Sequence, residues 1–90
     1  MPGVQVPKSV FSGDYQAFLR LLIEARKTVG MRQHELAAAL DIDQGTISKI
    51  ERGVRRIDLV ELVAITEALG IDPLDFVARY LEAREGGKRG

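Results

Sequence analysis

The 90-residue chain has no cysteine, no tryptophan and only one histidine, His34. Without cysteine there is neither a disulfide framework nor a thiolate metal site. His34 lacks a second imidazole to share a metal ion and a thiol to activate, so no metal is expected. No catalytic residue and no cofactor is expected either. Gly86-Gly87-Lys88-Arg89-Gly90 is glycine-rich, but it lacks the following helix that a phosphate-cradling loop requires. Apolar runs are far too short to span a bilayer, so no membrane association is expected. Met1-Pro2-Gly3-Val4 has no basic segment leading into an apolar run, which argues against a signal peptide. These absences fit a cytoplasmic protein. An excess of either charge is also missing, since 13 basic residues balance 13 acidic ones.

What remains is enough for one small domain. Hydrophobic residues make up 46% of the chain and charged residues 29%, as expected of a chain with its own core. The zero net charge conceals a strong asymmetry. From Arg26 to Arg56 seven basic residues face four acids, a local charge of +3. From Ile57 to Glu85 two basic residues face seven acids, a local charge of −5. A domain polarised in this way can be oriented by a polyanion even at zero net charge.

Apolar residues recur at helical spacing throughout, and no strand-like alternation is present, so the expected fold is all-α. Residues 1–12 carry Pro2, Gly3 and Pro7 with little periodicity and read as a flexible arm. A first helix is expected from about Asp14 to Val29, with Ser12 or Asp14 as N-cap. Tyr15, Phe18, Leu19 and Leu22 form its buried stripe. Arg26 continues that stripe, so its guanidinium needs a carboxylate partner. The next two helices are short, about Gln33 to Leu40 and Gln44 to Arg52. Asp41-Ile42-Asp43 joins them, with Asp41 left-handed and Asp43 as N-cap. A fourth helix starts from the capping box at Asp58 and Glu61 and ends near Leu69. A fifth starts from Asp72-Pro73 and runs to about Arg84. Its apolar arc of Leu74, Phe76, Val77, Tyr80 and Leu81 is wider than a peripheral helix needs. Residues 13–84 then form the domain, and 85–90 read as a disordered tail.

The third helix carries the functional signal. At 100° per residue, Ile47, Ile50 and Glu51 point one way, while Gly45, Ser48, Lys49 and Arg52 point the other. Gln44 stands at the exposed N-terminal end. The outer face thus has an amide, a hydroxyl, two cations and no acid. Amides pair bidentately with adenine, and Arg or Lys with guanine, in the DNA major groove. An ordinary solvated helix face has the same composition, so the signal depends on the motif around it.

That motif resembles the Cro/C1-type (lambda-repressor-like, XRE) helix-turn-helix family over about Leu22 to Leu81. The matching features are Gln33, Glu35-Leu36-Ala37, Thr46-Ile47-Ser48-Lys49-Ile50-Glu51-Arg52-Gly53 and Ala68-Leu69-Gly70-Ile71. The resemblance implies a five-helix domain with helices 2 and 3 as the helix-turn-helix and helix 3 in the major groove. It also suggests an ion pair between Arg26 and Glu51. Base contacts are then expected from Gln44, Gly45, Ser48 and Lys49, with Gly45 leaving one reading position without a side chain. Phosphate contacts are expected from Arg32, Gln33, Thr46, Arg52, Arg55 and Arg56. Arg32 departs from the family's usual Ser or Thr N-cap and gives up a bond worth about 1 kcal/mol.

The implied function is a sequence-specific regulator of transcription, a repressor, acting on double-stranded DNA. The implied partners are a near-palindromic operator and a second copy joined through helix 4 or helix 5. Two other classes share the fold. An antitoxin would carry a toxin-wrapping tail, against which the short Gly-rich tail argues. A protein-interaction module that has lost DNA binding would suit the neutral charge.

Overall fold

A computed structural model describes residues 13–89, with side chains through Arg84. The expected arm at 1–12, with Ser12, lies outside the described residues. Five helices follow in order: α1 Gly13–Val29, α2 Gln33–Leu40, α3 Gln44–Glu51, α4 Leu59–Ala68 and α5 Pro73–Arg89. No strand occurs among the described residues.

α1 begins one residue before Asp14, so Asp14 sits inside the first turn rather than at its cap. Its charge still favours the helix there, because the N-terminal end of the dipole is positive. The first four helices share one exit geometry. The αL residue sends its amide back three positions, and the next amide reaches back five. At Asp41 these bonds run to Ala38 O at 3.1 Å and from Ile42 to Ala37 O at 2.9 Å. Asp41 is the one non-glycine residue with positive φ among the described residues, at 56°. At the end of α3 the same role falls to Gly53, with φ 79°. A Cβ there would also meet Leu19 Cδ1 at 3.1 Å, so close packing against α1 adds to the backbone demand for glycine.

α4 starts as the sequence pattern indicates. Glu61 N donates to Asp58 Oδ1 at 2.8 Å, and Asp58 N donates to Glu61 Oε1 at 3.0 Å. Asp72 Oδ1 accepts from Leu74 N at 2.8 Å before α5. α5 is longer than the sequence suggests, continuing through Gly86-Gly87 to Arg89.

The core gathers Leu22, Ala25, Leu36, Ala37, Ile47, Ile50, Ile65, Leu69 and Phe76. α5 contributes Phe76, whose ring meets that of Phe18 edge-on with centroids 6.0 Å apart. Thr66 is fully buried, and its hydroxyl donates to the carbonyls of Leu62 and Val63 within its own helix. The wide apolar arc of α5 therefore divides. Phe76 turns inward, while Leu74, Val77 and Leu81 remain 79%, 37% and 40% exposed.

Candidate nucleic-acid interface

α3 is held from behind. Ile47 and Ile50 are 1% and 2% exposed, and both belong to the main core cluster. Burying side chains of this kind contributes roughly 1.5–3 kcal/mol each, so the helix cannot roll without a large loss. Fixing that face fixes the opposite one. Gln44, Lys49 and Arg52 are exposed, and Gly45, Thr46 and Ser48 are half-buried. The Arg52 Nε bond to Ser48 O is long, at 3.4 Å.

A second lock lies at the C-terminal end of α3. Arg26 Nε donates to Glu51 Oε2 at 2.6 Å, and Arg26 Nη2 donates to Glu51 Oε1 at 3.0 Å. Arg26 Nη1 donates to Met31 O at 2.8 Å. The two side chains are 10% and 7% exposed, so the pair is nearly out of water. One residue of α2 joins the network, since Gln33 Nε2 donates to Glu51 Oε1 at 2.9 Å. Three helices therefore meet at one carboxylate, and the α1–α2 turn joins the network through the Arg26 guanidinium. The sequence suggests the Arg26–Glu51 pair; it offers no sign that Gln33 joins it. With one amide hydrogen committed to Glu51, Gln33 keeps its carbonyl oxygen, second amide hydrogen and backbone N–H for any other contact.

Arg32 holds the extended N-cap conformation at the start of α2, with φ −82° and ψ 163°. A guanidinium has no acceptor, so it cannot cap the helix amides. Glu35 supplies the other half of the box, its Oε1 accepting from Arg32 N at 2.7 Å.

The connector arginines have intramolecular partners. Arg55 Nη2 lies 2.6 Å from Glu61 Oε2, and Nη1 lies 3.3 Å from Oε1. That hydrogen bond, followed by the one from Asp58 N, holds the Glu61 carboxyl below the usual glutamate range. The Arg56 guanidinium carbon sits 4.2 Å from the centroid of the Tyr15 ring. Both contacts would have to loosen or bend before these side chains reached a phosphate. Neither contact is written in the local sequence, because each partner belongs to another element.

The acid-free description of the outer face also needs amending. Asp43 occupies the N-cap of α3 with φ −77° and ψ 140°, but its side chain makes no capping hydrogen bond. The expected carboxylate–amide bond is therefore missing. The carboxylate is exposed beside Gly45 instead. An N-cap acid two residues before a glycine is the signal that would have revealed it.

A family profile described as "Helix-turn-helix" matches residues 22–76, more than half of the chain. The chain belongs to the Cro/C1-type (XRE) helix-turn-helix family. The five-helix architecture agrees with that membership. The chain is similar to "Control protein C.BamHI" from Bacillus amyloliquefaciens, at 40% identity over 47 residues. That match takes in 52% of this chain and 58% of the relative, so the relative is spanned only in part. Among solved structures, the "XRE-family like protein from Pseudomonas syringae pv. tomato str. DC3000" superposes with a TM-score of 0.78 at 37% identity. That similarity covers 83% of this chain and 92% of the other.

Proposed function

We propose that the protein is a sequence-specific repressor of transcription that docks α3 in the major groove of double-stranded DNA. One observation carries this reading. Gln44 and Lys49 are exposed on a helix whose opposite side is anchored by Ile47 and Ile50. A rigid helix offering an amide and an ammonium suits the acceptor and donor edges of adenine and guanine. Ser48 adds an adaptable hydroxyl, and Gly45 lets the backbone approach. Arg32, Gln33, Thr46 and Arg52 surround this face and serve phosphate oxygens. Arg55 and Arg56 join them only if their contacts with Glu61 and Tyr15 give way. The similarity to Control protein C.BamHI supports a regulatory role.

The protein works as a two-fold dimer on a near-palindromic operator, in the cytoplasm and on the nucleoid. Support for the dimer comes from the apolar face of α5, where Leu74 stands in solvent and Val77 and Leu81 are partly exposed. Leu59 and Val60 at the start of α4 extend the exposed apolar surface.

The test is a titration of the protein against an operator recovered by in vitro selection and against random duplex, each at low and moderate salt. The reading expects tighter binding to the operator and a log–log salt slope of about −0.9 per neutralised phosphate. Salt-insensitive or absent binding overturns it in favour of a protein-interaction module.

A further inference from the structure

Asp43 closes the helix-turn-helix turn directly before Gln44. Its Oδ2 lies 2.8 Å from the point that a Cβ on residue 45 would occupy. Residue 45 is glycine, so this space is open, and the carboxylate fills it. On the helical wheel residue 45 stands about 160° from Ile47 and about 140° from Ile50, pointing away from the core. The carboxylate is therefore laid over the first turn of α3 on the same side as Lys49. It caps no amide, and no donor among the described residues meets it. Asp43 as a whole is exposed.

A carboxylate in that position has consequences at a DNA surface. It is accept-only, and phosphates repel it. Carried into a groove without a donor, it loses its hydration and gains nothing. The major groove offers two base donors, N4 of cytosine and N6 of adenine. Adenine places the N7 acceptor beside N6, whereas cytosine presents N4 without an adjacent acceptor on its own edge. We infer that Asp43 is a specificity-determining residue that selects cytosine at one position of each half-site by accepting from its N4 amino group. Gly45 takes part by lacking a side chain, which leaves room for the carboxylate on the outer face. The inference rests on the DNA-binding reading above and deepens it.

The experiment is in vitro selection from a random duplex library with the wild type, Asp43→Ala and Asp43→Asn. Melting curves check that all three are folded, and Asp43→Asn keeps the side-chain shape while removing the charge. The expected result is a wild-type motif with cytosine at one position, where any other base lowers affinity roughly 5- to 150-fold. Asp43→Ala flattens that position alone. Asp43→Asn moves its preference toward adenine, which an amide pairs bidentately. Identical motifs from wild type and Asp43→Ala overturn the inference while leaving the DNA-binding reading intact. So does an Asp43→Ala protein that binds every sequence tighter by the same factor, which would reduce Asp43 to a repulsive charge. A wild type that selects no motif overturns both.

Discussion

Arg26 and Glu51 join α1 to the last residue of α3 through a two-pronged ion pair, with Nε and Oε2 2.6 Å apart. Because Gln33 donates to the same carboxylate, the pair also fixes the start of α2. A nearly buried pair of this kind is better understood as an orienting device than as a net source of stability, since desolvation offsets much of the attraction.

Removing one partner should be costly. Glu51→Ala strands the Arg26 guanidinium and should lower stability by about 3–5 kcal/mol. At 4–8 °C per kcal/mol for a domain of about this size, the loss in Tm is on the order of 10 °C or more. Replacing both residues together, Arg26→Met with Glu51→Leu, should recover most of it. Thermal unfolding of the three variants checks this; an unchanged Tm in Glu51→Ala would contradict the network.

Lys49 reaches outward from a helix anchored on its other side. Lys49→Ala should weaken binding to the selected operator by roughly 1–3 kcal/mol if it reads guanine, and weaken random duplex much less. Parallel fluorescence-anisotropy titrations on the two duplexes measure the difference. Equal losses on both would make Lys49 a phosphate contact.

How far the residues alone foretold the site depends on the range of each interaction. The limits of α2 and α3 follow from periodicity and from the left-handed stops, and they match the observed helices to within a residue. Arg26–Glu51 was accessible because each residue continues an apolar stripe, so both had to meet inside. Asp43 was accessible only through its spacing from Gly45, and Arg55 and Arg56 were not accessible. The conformations of the two arginines depend on a carboxylate on α4 and a ring on α1. A helical wheel reports direction but not reach, and long side chains choose partners across elements. In α5 the wheel gave an apolar arc without its orientation, and packing of Phe76 against Phe18 selected the inward part.

Acid should act on the connector through Glu61. Its carboxyl is held below the ordinary glutamate value of 4.5, chiefly by the Arg55 hydrogen bond. A folded-state value below the unfolded one means that the unfolded chain binds the proton more readily. The stabilisation is therefore complete above pH 4.5 and is lost as pH falls through the lower folded value. Glu61→Gln should show a smaller stability loss over this acid range than the wild type. Chemical denaturation at several pH values tests it; parallel acid limbs would mean that the pair contributes nothing to folding.

The exposed face of α5 should govern assembly rather than folding. Leu74 and Val77 are exposed, so Leu74→Glu with Val77→Glu should leave the folding stability of the isolated subunit within about 1 kcal/mol of the wild type. The same change should shift the sedimentation equilibrium toward monomer and weaken operator binding. A wild type that stays monomeric at all concentrations, with and without DNA, would remove the dimer from the account.

The most direct measurement follows the backbone amides of the isotope-labelled protein by NMR as a selected operator duplex is added. The account predicts the largest shifts at Gln44, Gly45, Ser48 and Lys49, with further shifts at Arg32 and Gln33. Shifts concentrated along α4 and α5, with α3 unmoved, would contradict it.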